Sequence, residues 1–100
     1  MATDILSLRI CAQGFAKVAS GQTRVKYRPD TSYWRSRLLD KSGQPRAFSA
    51  VHIRNGYRTD SPLAILALRG IDGPVAHDGA PHWRIELGAV QQVLHYGEKS

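Results

Sequence analysis

The chain reads as a small α+β domain, a closed or half-open β-barrel of about six short strands with two short helices flanking one end. Three observations predict this. Short runs of alternating apolar and polar residues recur between clusters of Gly, Pro, Asn and Asp, which is how strands and turns are punctuated. Two segments instead place their apolar residues at helical spacing. The length, 100 residues, suffices for one compact core but not two, so residues 1–100 are expected to form a single domain.

Residues 4–10 (DILSLRI) are apolar and partly alternating, and predict a strand. Residues 11–20 space Cys11, Phe15, Val18 and Ala19 as a helix does, and Gly21 is placed to cap it. Cys11, in this apolar stretch, is expected to be a buried, inert thiol. Residues 23–28 alternate strictly as a strand that Pro29 ends. Residues 32–39 suit a short helix with Ser32 or Thr31 as N-cap, Tyr33 or Trp34 and Leu38 facing the core, and Arg35 and Arg37 outward. A loop follows at 40–46, a strand at 47–54, an Asn55-Gly56 turn, and an exposed connection at 57–62. Residues 63–69 (LAILALR) read as a strand buried on both faces. Residues 70–81, rich in Gly, Asp and Pro, read as a long loop. Residues 82–87 alternate cleanly, with Trp83, Ile85 and Leu87 inward. Gly88 then marks a bend, 89–96 is a last strand or short helix, and 97–100 a frayed tail.

The net charge of +6 is segregated. Residues 24–58 hold nine cations against Asp30 and Asp40, whereas 59–100 are net negative. Ten of the fourteen cations are arginine, whose planar fork suits phosphate and base edges and stacks on rings. Within Thr23 to Arg28, alternation puts Arg24, Lys26 and Arg28 on one face of a strand. Such a row repels itself unless something anionic lies opposite, and the chain offers few carboxylates. A phosphate backbone is the expected partner. Tyr33, Trp34 and Tyr57 are interleaved with the cations, and unstacked bases lie on such rings. Asn55 can offer a donor and an acceptor to a base edge.

Other classes find little support. A single cysteine excludes an internal disulfide framework and a multi-cysteine metal site. His52, His77, His82 and His95 lack metal-ligand spacing, so no metal and no cofactor are expected. No apolar run has the length of a membrane span, and no signal peptide is visible, so a soluble cytoplasmic protein is expected. There is no phosphate-binding glycine loop and no nucleophile elbow. A general base and acid for RNA hydrolysis would have to come from His52 or Tyr57 beside Lys26.

The runs Gly21 to Arg28, Tyr33 to Leu38, Arg54 to Tyr57 and Trp83 to Gly88 resemble the ASCH domain family, named for homology to activating signal cointegrator 1, over roughly Leu6 to Gly88. The family's motif G-x-K-x-x-E-x-R is matched here at Gly21 and Arg28. Thr23 replaces its lysine and Lys26 its glutamate. The resemblance implies a PUA-like barrel and RNA binding in a cleft between barrel and helices. Some bacterial members are amidohydrolases acting on N4-acetylcytidine, with lysine at the motif's third position and threonine at its sixth. Thr23 and Lys26 are reversed in type, and the helical insert that carries those enzymes' acidic residue is missing.

Together these readings predict a bacterial RNA-binding domain, monomeric or at most weakly dimeric, for single-stranded RNA or a modified nucleotide. Its basic cleft would be lined by Arg24, Lys26, Arg28, Tyr33, Arg35, Arg54, Asn55 and Tyr57. Catalysis there, as ribonuclease or amidohydrolase, would fall to Lys26, Thr23, Tyr57 and His52. The remaining alternative is a protein-interaction module that presents the basic face to an acidic partner.

Overall fold

The computed structural model describes residues 4–96. In chain order they form β1 (Asp4–Arg9), α1 (Ala12–Ala19), β2 (Val25–Pro29), α2 (Ser32–Leu38), β3 (Phe48–Arg54), β4 (Leu63–His77) and β5 (Ala80–Leu94). All five strands belong to one mixed sheet of order β1-β3-β4-β5-β2. β1 runs parallel to β3, and every other pairing is antiparallel.

The sheet is not a closed barrel of six strands. β1 and β2 are its edges, with no ladder between them. A side chain spans the gap instead: Arg28 Nη2, from β2, donates to the Arg9 carbonyl on β1 at 3.4 Å. The fold is a small α+β domain of two helices and one open five-stranded mixed sheet, and the gap between its β1 and β2 edges is a seam bridged by Arg28.

Residues 63–94 form one long hairpin rather than three strands and a loop. The segment 70–81, expected as a loop, continues β4, turns at Asp78-Gly79 and starts β5. Asp78 and Gly79 both have positive φ (53° and 75°), the signature of a type I′ hairpin turn. Gly73 and Pro74 are accommodated where the register shifts between Asp72 and Val75, as expected of residues that cannot serve a regular ladder. Gly88 is not a bend. It lies inside β5, where an added Cβ would sit 2.9 Å from Ala67 Cβ, so the strands approach too closely there for any side chain. Residues 89–94 accordingly continue the same strand, and the frayed tail expected at 97–100 lies outside the described residues.

The helices obey their local signals. Thr31 caps α2, its Oγ1 accepting from the Trp34 N–H at 3.3 Å. At the end of α1, Gly21 N–H donates to Val18 O and Gln22 N–H to Lys17 O, the paired bonds of a Schellman motif. Cys11 is exposed, not buried. It is the N-cap of α1, and its Sγ turns back to accept from the Gly14 N–H at 3.4 Å. A cap must reach the first turn's open donors, which keeps it at the surface.

One core joins these parts. Phe15 and Val18 from α1 and Leu38 from α2 pack on Leu6, Leu8, Val51, Ile53, Leu66, Ile85 and Leu87 of the sheet. Burying each of the larger side chains contributes roughly 1.5–3 kcal/mol. On β4, Leu63, Ala64 and Leu66 are buried, but Ile65 and Ala67 only half so. The Ala64–Leu66 face of that strand is fully covered, and the opposite face only in part. Among the described residues no helix is long and apolar enough to cross a membrane.

Candidate nucleic-acid interface

The register of β2 decides where its cations go. Lys26 lies opposite Ile85 and Arg28 opposite Trp83, and directly opposed residues share a face. Lys26 and Arg28 thus point to the core side of the sheet, while Val25 and Tyr27 point outward with Glu86 and Arg84. β2 tolerates this because it is an edge strand. Long cationic stems can run over apolar surface and bring their heads out past the edge. Burial lowers the pKa of both side chains, and for Lys26 the nearby Arg28 adds to the shift. Arginine nevertheless stays charged.

Arg28 emerges in the seam. Nη1 donates to its neighbour's Tyr27 carbonyl at 2.8 Å, Nη2 to Arg9 O, and the guanidinium lies 5.4 Å from the Trp34 ring centroid. Trp34, expected in the core, is only half-buried: it packs on the core and turns toward Arg28. Two further pairs repeat this arrangement. Arg37 lies over Tyr33 at 4.7 Å and Arg9 over Tyr57 at 4.8 Å. All three pairs line one cleft of about 240 Å³, and Ser7 completes its wall. Tyr33 and Tyr57 are 56% and 85% exposed, so their rings are open to a ligand. Among the described residues, no carboxylate lies within ion-pair distance of Arg9, Arg28 or Arg37.

The other expected site residues are distributed differently. Arg35 is held by Asp30, with Nε 2.6 Å from Oδ1 and Nη2 3.2 Å from Oδ2. The same Oδ1 accepts from the Trp83 indole at 2.9 Å. The Arg35 bonds first, then that of Trp83, hold the Asp30 carboxyl below the usual carboxylate range. Asn55 donates its amide to Ile10 O at 3.0 Å, tying β3 to the end of β1. Gly56 follows at φ +127°, where an added Cβ would lie 2.6 Å from Ser61 Oγ, and this tight turn is what presents Tyr57. Arg54 reaches the Thr59 and Ser61 carbonyls at 3.4 and 3.5 Å and lines a smaller cleft with His52, Arg9 and Ser7.

Arg24 and Thr23 lie elsewhere, in a cleft of about 420 Å³ between the end of α1 and the β4–β5 pair. Arg24 Nε there donates to Gly21 O at 3.2 Å. Lys26 lines neither cleft and sits near Cys11, whose thiol is held below its ordinary pKa, first by the Gly14 N–H. Thr23, Lys26, His52 and Tyr57 therefore line no common cleft. Sequence reasoning missed Arg9 and Arg37 as cleft residues. Arg37 carried the helical spacing that points it away from the core, whereas nothing local marked Arg9. Compared with models of protein families, with curated proteins and with solved structures, the chain matches none.

Proposed function

We propose that the protein binds single-stranded RNA, or a modified nucleotide within it, in the seam cleft between α2 and β1. The observation that carries this reading is the convergence of three arginine–aromatic pairs with no carboxylate of the described residues paired to them. Guanidinium groups without a protein counter-ion supply phosphate contacts, and exposed rings supply stacking surfaces for bases. A carboxylate-lined cleft would repel the same ligand. The cleft volume, about 240 Å³, suits one splayed nucleotide better than a duplex. The resemblance to the ASCH domain family points the same way, and an α+β fold with a mixed sheet is compatible with an opened PUA-like barrel.

The test is a titration of labelled single-stranded RNA into wild type and Arg37→Ala across a salt series, with the same samples then run on a denaturing gel. Binding that weakens with salt, a slope shallower by about 0.7 in the variant, and intact RNA are expected. Absence of binding at low salt would overturn the reading and leave an acidic protein partner to be sought. RNA cleavage lost in Lys26→Ala would make the protein a hydrolase instead.

A further inference from the structure

The seam cleft is not isolated. Ser7 lines it and also lines two neighbouring clefts, one bounded by Arg37 and Arg46 and the other by Arg9 and Arg54. Arg37 and Arg9 are each shared with the central cleft, so the three form one groove that follows β1 from Asp4 to Arg9. β1 is an edge strand whose inner side is paired to β3. Its outer side carries alternate backbone groups, among them the Arg9 carbonyl that accepts from Arg28. By the same alternation the backbone N–H of Ser7 faces the groove. Arginines at each end and a neutral donor in the middle offer phosphate contacts at several points along its length.

One end differs. Arg46 is ion-paired to Asp4, and both belong to the groove wall. A phosphate arriving there must compete with a carboxylate already in place, whereas Arg9 and Arg54 at the other end have no such competitor among the described residues.

We propose that the groove along β1 is an RNA track: a single strand runs the length of the edge, its central nucleotide in the seam cleft, and Asp4 restrains binding at the Arg46 end. This rests on the RNA reading given above. Six strand residues span about 17–20 Å. At the ~3.4 Å per nucleotide of a stacked strand, that accommodates about five nucleotides, and about three if the strand is stretched to roughly 6 Å per nucleotide.

The experiment is a competition series of uridine monophosphate and oligouridylates of two, three, five and ten nucleotides against a labelled pentamer, with wild type, Asp4→Asn and Arg46→Ala. In wild type, affinity is expected to climb more than tenfold from the monomer to the pentamer and then level off. Asp4→Asn is expected to tighten the pentamer severalfold at low salt, a gain that misfolding cannot produce, and to leave the monophosphate within twofold. Arg46→Ala is expected to weaken only the longer oligomers. A monophosphate that binds as tightly as the pentamer would overturn the track and leave the seam cleft as a one-nucleotide site. An Asp4→Asn variant with unchanged or weaker pentamer binding would overturn the restraint. Failure of every length to bind would remove the RNA reading itself.

Discussion

The seam and the outward face of the β2–β5–β4 sheet contain the same residue types and treat them in opposite ways. On the outward face, Arg84 lies 3.4 Å from Glu86 and 3.8 Å from Asp72, and Arg69 lies 3.7 Å from Glu86. Tyr27 is covered by the His77 ring at 3.9 Å, nearly parallel to it. In the seam, Arg9, Arg28 and Arg37 face rings rather than carboxylates, and Tyr33 and Tyr57, each with a guanidinium over one face, remain largely exposed. Both surfaces combine arginines with tyrosines. What separates them is whether the protein itself has already supplied the counter-charge and the stacking partner.

That contrast assigns stability to the hairpin and binding to the seam, and substitutions can break it. The largest expected effect is on the hairpin side. Ile85 is fully buried in β5, and Ile85→Ala should cost about 2–5 kcal/mol in denaturant unfolding. The fraction that stays folded should bind RNA as wild type does. An RNA affinity that falls in proportion for the folded fraction would mean the two regions are not separable.

A smaller but sharper effect is expected from paired arginine variants. Arg28→Ala should lower RNA affinity by about tenfold or more, roughly 1.4 kcal/mol, since it removes both a cation and the bridge between the sheet edges. Arg84→Ala, which removes the same charge from the outward face, should stay within twofold in the same anisotropy titration. Equal losses would show that only net charge matters and that the seam has no special standing.

The smallest expected effect concerns acid. Asp30 joins α2 to β5 through Arg35 and Trp83, and its carboxyl titrates below an unfolded aspartate. A depressed folded-state pKa contributes stability above the ordinary aspartate value, about 3.9, and that contribution is lost as the pH falls through the lowered value. Stability followed by tryptophan fluorescence should therefore decline below about pH 4. Asp30→Asn should be less stable than wild type at neutral pH and flatter in acid. An unchanged acid slope in that variant would place the sensitive carboxylate elsewhere.

Much of the fold was legible in local runs of residues. The alternation at 82–87 put Trp83, Ile85 and Leu87 inward, and all three are buried. Thr31 and Gly21 capped their helices as read. The hairpin turn was also written locally, as Asp78-Gly79, but the surrounding Gly70, Gly73, Pro74 and Pro81 outweighed it and suggested a loop. Gly70, Gly73 and Pro74 fall at register shifts and Pro81 pairs with Ala76, features visible only with the partner strand in place. Of the expected site residues, Arg28, Tyr33 and Tyr57 meet in the cleft, while Arg35 and Asn55 are engaged in holding the fold.

The sequence alone determined what acts over a few residues: helix caps, strand alternation, the excess of positive charge and its arginine-rich character. These follow from backbone geometry and side-chain chemistry within a turn or two. Tertiary structure decided which strand borders which, and so which charges meet. Asp4 and Arg46 lie 42 positions apart in the chain, and Asp30 and Trp83 lie 53 apart. Placing β1 beside β3 at one edge and β2 at the other brought Arg9 to Arg28 across a seam. Whether a cation is neutralised depends on a partner that only the closed fold brings near, and charge falls off too steeply with distance for the sequence order to foretell it.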